Sequence, residues 1–289
     1  MFVTVKDNIL KSFVFKIISW YICHFKFPYR GEKYFSALLN KLKLSSQTFL
    51  KKLHNGQLIR LVPQDHIQKQ ILWYGFYEKN YILLWEKLIK DDSIVFDIGA
   101  NIGYYSIVAA NKAKHGEVHA FEPISSTFHA LQQNIILNNL KNVIVNQNGV
   151  SNAPGIYDYY ISSTDNSGMS GMQPSENFSG HIEKIQTITI DQYSTDRNLS
   201  SVDFVKIDIE GNELNALMGM KNTLTKFKPV LFIEILNEHL TNYHATADDV
   251  FEYLNPMGYQ SYSAKNGKLQ KMEKSKEGDV IIFIPNDLS

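Results

Sequence analysis

The run Ile94-Val-Phe-Asp-Ile-Gly-Ala-Asn-Ile-Gly-Tyr-Tyr-Ser106 constrains the fold more than any other, because it joins a buried strand to a helix through a tight turn. Ile94 to Phe96 is apolar, Asp97 closes the strand, and an apolar helical pattern follows through Val108 to Ala110. Gly99 and Gly103 permit the turn and let backbone approach a ligand closely. Strand, glycine turn and helix start in this order form the opening unit of a doubly wound α/β sheet.

The turn departs from the dinucleotide pattern Gly-x-Gly-x-x-Gly, whose middle glycine brings backbone against a pyrophosphate. Asn101 stands at that position. A polar side chain there suits a ligand without phosphate, whose ammonium and carboxylate are held by Asp97 and by amides at the helix start. The reading is a site for S-adenosylmethionine. Glu117-Val-His-Ala-Phe-Glu122 reads as the next strand, and Glu122 falls nineteen residues beyond Gly103, where an acid accepts hydrogen bonds from ribose hydroxyls. Pro123 then turns the chain into the following helix.

Three segments together resemble the FkbM-type methyltransferases: Val95 to Ser106, Val202-Asp-Phe-Val-Lys-Ile-Asp-Ile-Glu-Gly-Asn-Glu213, and Lys228-Pro-Val-Leu-Phe-Ile-Glu-Ile235. Upstream, Gly75-Phe-Tyr-Glu78 is similar to the element that precedes the family's first strand, and the likeness runs from about Leu58 to Ile235. It implies methyl transfer to a hydroxyl oxygen of a sugar, glycolipid or other metabolite, in polysaccharide biosynthesis for example. It also implies the class I fold, a Rossmann-like, doubly wound, seven-stranded, mostly parallel sheet whose last strand is antiparallel. In that frame Asn148, Gly149 and Val150, ending the third strand, flank the adenine. Glu78, Tyr104 and Pro123 join Asp97, Gly99, Asn101, Gly103, Glu122 and Asp208 in the cofactor set.

Lysine plus arginine equals aspartate plus glutamate at 29 each, so no overall field attracts a phosphate backbone and no nucleic-acid partner is expected. The basic runs Lys41 to Lys52 and Lys268 to Lys276 read as solvated faces. Cys23 is the only cysteine, which removes disulfides within the chain and fits a reducing cytoplasm. Lysines interrupt the apolar segment 1–27, which reads neither as a bilayer span nor as a signal peptide. Peripheral membrane contact and packing on the catalytic domain or a second subunit are its readings. Residues 1–55 are expected as a helical extension, and 56–289 as the methyltransferase domain with its core from 91. Trp73, Tyr77, Tyr81 and Trp85 share a spacing of four that would form one aromatic stripe. Tyr157 to Ile161 and Ile185 to Ile190 read as an inserted antiparallel pair, and Ser162 to Gly180 between them as a lid.

A sugar hydroxyl is a poor nucleophile, so the acceptor end needs a group that takes its proton. Asp208 and Glu210 end the fourth strand, where alternation would place both carboxylates on one side, and Glu234 ends the fifth among apolar neighbours. These three are the catalytic candidates. They could alternatively hold a divalent ion such as Mg2+, an arrangement not favoured over direct carboxylate action. His239 is the reserve base, and Glu213 reads as a favourable charge at a helix start. An RNA methyltransferase and a catalytically silent scaffold of the same fold are the rival readings.

Overall fold

A computed structural model of the chain describes residues 15–24, 32–162, 171–173, 180–265, 267–272 and 278–287. Most of the lid candidate and of the segment 1–27 lies outside the described residues. The chain divides into two compact units, the first ending at Lys79 and the second beginning at Asn80.

The first unit holds a helical stretch at 15–24 (α1), α2 (Glu32–Lys41), the strands β1 (Phe49–Lys52) and β2 (Leu58–Leu61), and α3 (His66–Tyr74). The expected helical extension to residue 55 is therefore corrected. Asn55-Gly56 turns an antiparallel hairpin, with Asn55 accepting the Gln57 N–H at 3.2 Å and Gly56 at φ 88°. The Lys41 to Lys52 run is not wholly solvated either, since Lys51 is buried and donates from Nζ to the Ile22 carbonyl at 2.8 Å. On α1 Ile18 and Ile22 are buried while Ile17, Trp20 and Tyr21 are exposed. No helix among the described residues is long and apolar enough to cross a membrane. Gly75, left-handed at φ 76°, ends α3 and breaks the expected aromatic stripe after Trp73.

The second unit follows α4 (Lys79–Leu88) with β3 (Ile94–Ile98), α5 (Tyr104–Lys112), β4 (Glu117–Phe121), α6 (Ser125–Leu137) and β5 (Val143–Asn146). An insertion follows, of β6 (Gly149–Val150), β7 (Gly155–Ser162) and β8 (Gly180–Ile188), which pair in the order β6-β8-β7. Then come α7 (Ile190–Asp196), β9 (Phe204–Ile207), α8 (Glu213–Met218), α9 (Lys221–Phe227), β10 (Val230–Ile235), α10 (Asn237–Leu240), α11 (Ala247–Leu254), β11 (Tyr259–Lys265), β12 (Lys268–Lys271) and β13 (Gly278–Pro285).

The main sheet runs β12-β11-β13-β10-β9-β3-β4-β5. Its five strands from β10 to β5 are parallel, and β13 is antiparallel to both neighbours. This is the expected doubly wound fold with one strand more, because the basic stretch from Lys268 pairs antiparallel along the edge of β11. Lysines suit that position, since a charged edge discourages further strand pairing. All four residues of β9 are buried and only Glu234 of β10 is not, as expected for parallel strands covered on both faces.

Trp85 of α4 fixes that helix against the sheet, its ring set edge-on to Phe232 at 5.0 Å, Tyr105 at 5.7 Å and Phe204 at 6.1 Å. It is fully buried. Replacement by alanine removes the transfer energy of the ring and leaves a cavity, an expected loss of about 3–5 kcal/mol. Urea unfolding of Trp85→Ala measures this, and a loss below about 1 kcal/mol would show that α4 is held elsewhere.

Candidate active site

Among the described residues, six carboxylates gather at the carboxyl ends of β3, β4, β9 and β10: Asp97, Glu122, Asp208, Glu210, Glu213 and Glu234. Ligands bind at this end of an open parallel sheet.

Asp97 is buried within β3. Ser106 of α5 donates to its Oδ2 at 2.5 Å, while Oδ1 is buried without a hydrogen-bond partner in the protein. Burial pushes the carboxyl above its ordinary pKa, and the Lys206 ammonium, on its cross-strand neighbour in β9, opposes that shift. A buried acceptor lacking a donor fits a ligand ammonium. The turn that follows is fixed by the Gly99 and Ala100 N–H groups, both donating to the Phe121 carbonyl at 3.0 Å. Gly99 sits at φ 81°, and a Cβ there would lie 1.8 Å from the Asp208 carbonyl oxygen, so no other residue fits.

Asn101 also adopts a left-handed backbone, φ 49°, and its Oδ1 accepts the Ile102 N–H at 2.7 Å, which steadies the turn. Gly103 precedes α5 at φ 90°, and Tyr104 opens that helix as a buried residue. Glu122 draws the second turn onto the first. Its two oxygens accept from Asn101 N–H of the first turn and from Ile124 N–H just beyond Pro123, each at 3.0 Å. Burial lifts its pKa to about 7.

The expected adenine edge lies against the insertion sheet. Asn148 is half-buried and Gly149 pairs with Thr187 in the insertion sheet, but Val150 has its side chain in the core and its carbonyl bonded to Asn212 Nδ2 at 3.0 Å. The Val150 side chain is thus committed to packing. Glu78, at φ 47°, stands in the first unit, whereas every other residue of the expected set belongs to the second.

At the other end of the cluster the expected alternation does not hold. β9 stops at Ile207, and Glu210 lies in a left-handed turn at φ 57°. Asp208 accepts from Lys206 Nζ at 2.7 Å, and that ammonium lies 4.7 Å over the Tyr105 ring. Glu210 instead meets His239 of α10, whose Nδ1 is 3.0 Å from Glu210 Oε2 and 3.7 Å from Glu234 Oε2. Glu234 reaches this place where the β10–β13 register shifts between Ile233 and Ile235, an irregularity of the kind that re-aims a side chain. Burial raises the pKa of Glu210 to about 7 and of Glu234 to about 9. Glu210 and then Glu234 raise that of His239 to about 10.

Glu213 takes the structural role expected of it. It is buried and accepts from Ile209 N–H at 3.0 Å and Gly211 N–H at 3.2 Å, tying the turn to the start of α8. Tyr243 packs beside Gly211, and its hydroxyl accepts the Met172 N–H at 2.8 Å, which ties residue 172 of the insertion to this end.

Among the described residues, Glu210, Glu234 and His239 form a group whose donor atoms all lie within 4.8 Å of one another, close enough to share a cation. Asp208 is not part of this cation group; its Oδ2 is paired with Lys206 instead. Sequence reasoning missed Lys206, although a lysine inside an apolar buried strand was the signal for it.

Residues 97–261 match the model of the methyltransferase FkbM domain. The hexuronic acid methyltransferase AglP of Haloferax volcanii is 31% identical over 158 residues, which cover 51% of this chain and 58% of that protein. Methyltransferase 1 of Beauveria bassiana is 26% identical over 148 residues, 45% of this chain and 59% of that one. The chain thus spans less than two thirds of the length of either relative. The crystal structure of a methyltransferase FkbM from Methylobacillus flagellatus KT is similar at 20% identity and a TM-score of 0.45, covering 68% of this chain and 44% of that chain.

Lys206 is 5% exposed and is the buried cation nearest Asp97 and Asp208. Lys206→Met should leave the buried Asp97 and the half-buried Asp208 uncompensated and cost about 3 kcal/mol, read by urea unfolding at neutral pH. Unchanged stability would mean that water already screens these acids.

Proposed function

The chain belongs to the FkbM methyltransferase family, and from that premise we propose that it moves a methyl group from S-adenosylmethionine to a hydroxyl oxygen of a carbohydrate, glycolipid or related metabolite. The observation that carries the proposal is the buried, unpartnered Asp97 Oδ1 beside the Gly99 turn, with the Glu122 and Asp208 carboxylates close enough to repel it. When bound, S-adenosylmethionine supplies the sulfonium methyl that is transferred. Asp97 would hold its ammonium, Glu122 its ribose hydroxyls, and the backbone about Asn148 and Gly149 its adenine.

Asp208, Glu210 and Glu234 would orient the acceptor hydroxyl and ease the loss of its proton. Most of the rate enhancement would come from holding that oxygen in line with the methyl carbon and opposite the sulfur. A relative named for methylating a hexuronic acid supports a sugar acceptor, and the balanced charge of 29 against 29 weighs against a polyanionic one. A cytoplasmic place in polysaccharide biosynthesis belongs to the same proposal.

Incubation with methyl-labelled S-adenosylmethionine and a panel of neutral and uronic glycans is expected to label a hydroxyl oxygen, identified by mass spectrometry of the product. Label entering RNA instead, or no label from a folded protein that binds the cofactor, would overturn the acceptor class.

The raised pKa of Glu122 gives a pH test. Below about 7 the acid is largely protonated and accepts ribose hydroxyls poorly; above it the carboxylate accepts both. Cofactor affinity should therefore rise between pH 6 and pH 8 by up to about tenfold, and the rise should vanish in Glu122→Gln. A flat wild-type profile measured by calorimetry would remove Glu122 from the ribose site.

A further inference from the structure

We propose that Glu210, Glu234 and His239 form a binding site for a divalent first-row transition ion of the Mn2+ to Zn2+ class, open toward the methyl acceptor. The three ligands come from three separate elements: the turn after β9, the end of β10 and α10. Two donors about 2.1 Å from one ion stand about 3.0 Å apart at a right angle and about 3.4 Å apart at a tetrahedral angle. The observed separations from His239 Nδ1, 3.0 Å to Glu210 and 3.7 Å to Glu234, lie near this range.

Two further observations point to a ligand here. Glu210 Oε2 and His239 Nδ1 are buried, form no aligned hydrogen bond, and have only their ion pair with one another and the more distant Glu234. The backbone also presets the arrangement, because Gly211 at φ 108° packs so tightly that a Cβ would lie 2.3 Å from the His239 carbonyl oxygen. A left-handed glutamate followed by such a glycine is strain held at a site rather than at an arbitrary turn. The side chains of Glu210, Glu234 and His239 stay 20%, 12% and 26% exposed, so coordination positions remain open on one side.

One imidazole with two carboxylates selects for Mn2+, Fe2+ or Zn2+ over Mg2+, which demands near-octahedral oxygen ligation and keeps its waters. The inference rests on the reading of this end as the acceptor site. There the ion would bind the acceptor oxygen and lower its hydroxyl pKa, so that the proton passes to solvent water; the oxygen's electron pair would form the O–C bond to the methyl carbon as the carbon–sulfur bond breaks and its pair leaves on the sulfur of S-adenosylhomocysteine.

The test is calorimetric titration of chelator-stripped full-length protein with MnCl2, ZnCl2 and MgCl2, alongside Glu234→Gln and His239→Asn. One Mn2+ per chain is expected, weakened tenfold or more by each substitution, with cofactor binding and Tm serving as the check on folding. Pulsed electron paramagnetic resonance of the wild-type Mn2+ complex should show coupling to a histidine nitrogen, a result that does not depend on any variant folding. No Mn2+ binding, binding indifferent to both substitutions, Mg2+ held as tightly as Mn2+, or no nitrogen coupling would each overturn the site. Methyl transfer by protein that binds no Mn2+ would overturn the ion while leaving the methyltransferase reading intact; Mn2+ binding without transfer would do the reverse.

Discussion

Burying negative charge at one end of a parallel sheet is the constraint on which the rest of this structure depends. Isolated carboxylates are costly to remove from water, so each needs a counter-charge or a donor. Lys206 serves Asp97 and Asp208 from the middle of the sheet, and His239 serves Glu210 and Glu234 from the helix beyond it. Glu122 and Glu213 each accept a pair of backbone N–H groups, which makes them fasteners of the turns around them, and each Glu122 oxygen keeps a lone pair for a further donor. Asp97 Oδ1 remains, at the place where a cofactor ammonium would complete the set.

The same end of the sheet carries two close backbone approaches. Gly99 brings the first turn against the Asp208 carbonyl, and Gly211 brings the second against the His239 carbonyl. These contacts set the spacing between the cofactor end and the acceptor end, so geometry needed for in-line transfer is held by backbone rather than by long side chains. Edge-on rings around Trp85 stiffen the layer beneath.

Much of this was legible in the chain itself. The glycine turn after an apolar strand, the acid at the tip of the next strand and the near-continuous apolar β9 and β10 place the fold and the cofactor end, because local spacing fixes those features. What stayed hidden depends on contacts between distant residues. Asp208 and Glu210 are brought near one another by a left-handed turn, not by strand alternation, and a positive φ at a glutamate has no sequence signal. His239 looked like a loop histidine until α10 set it between two glutamates. The hairpin at Asn55-Gly56 was read as a boundary because turn residues mark both, and only the pairing of β1 with β2 separates them. Val150 looked available to a ligand until Asn212, sixty-two residues away, took its carbonyl.

The central claim is that the Gly99 turn, Asp97 and Glu122 hold the nucleoside methyl donor. A crystal structure of the full chain with S-adenosylhomocysteine tests it most directly. The amino group should lie within about 3 Å of Asp97 Oδ1 and both ribose hydroxyls on Glu122, with the sulfur directed toward Glu210 and Glu234. A ligand bound elsewhere, or one at this turn with Asp97 Oδ1 still without a donor, would contradict it.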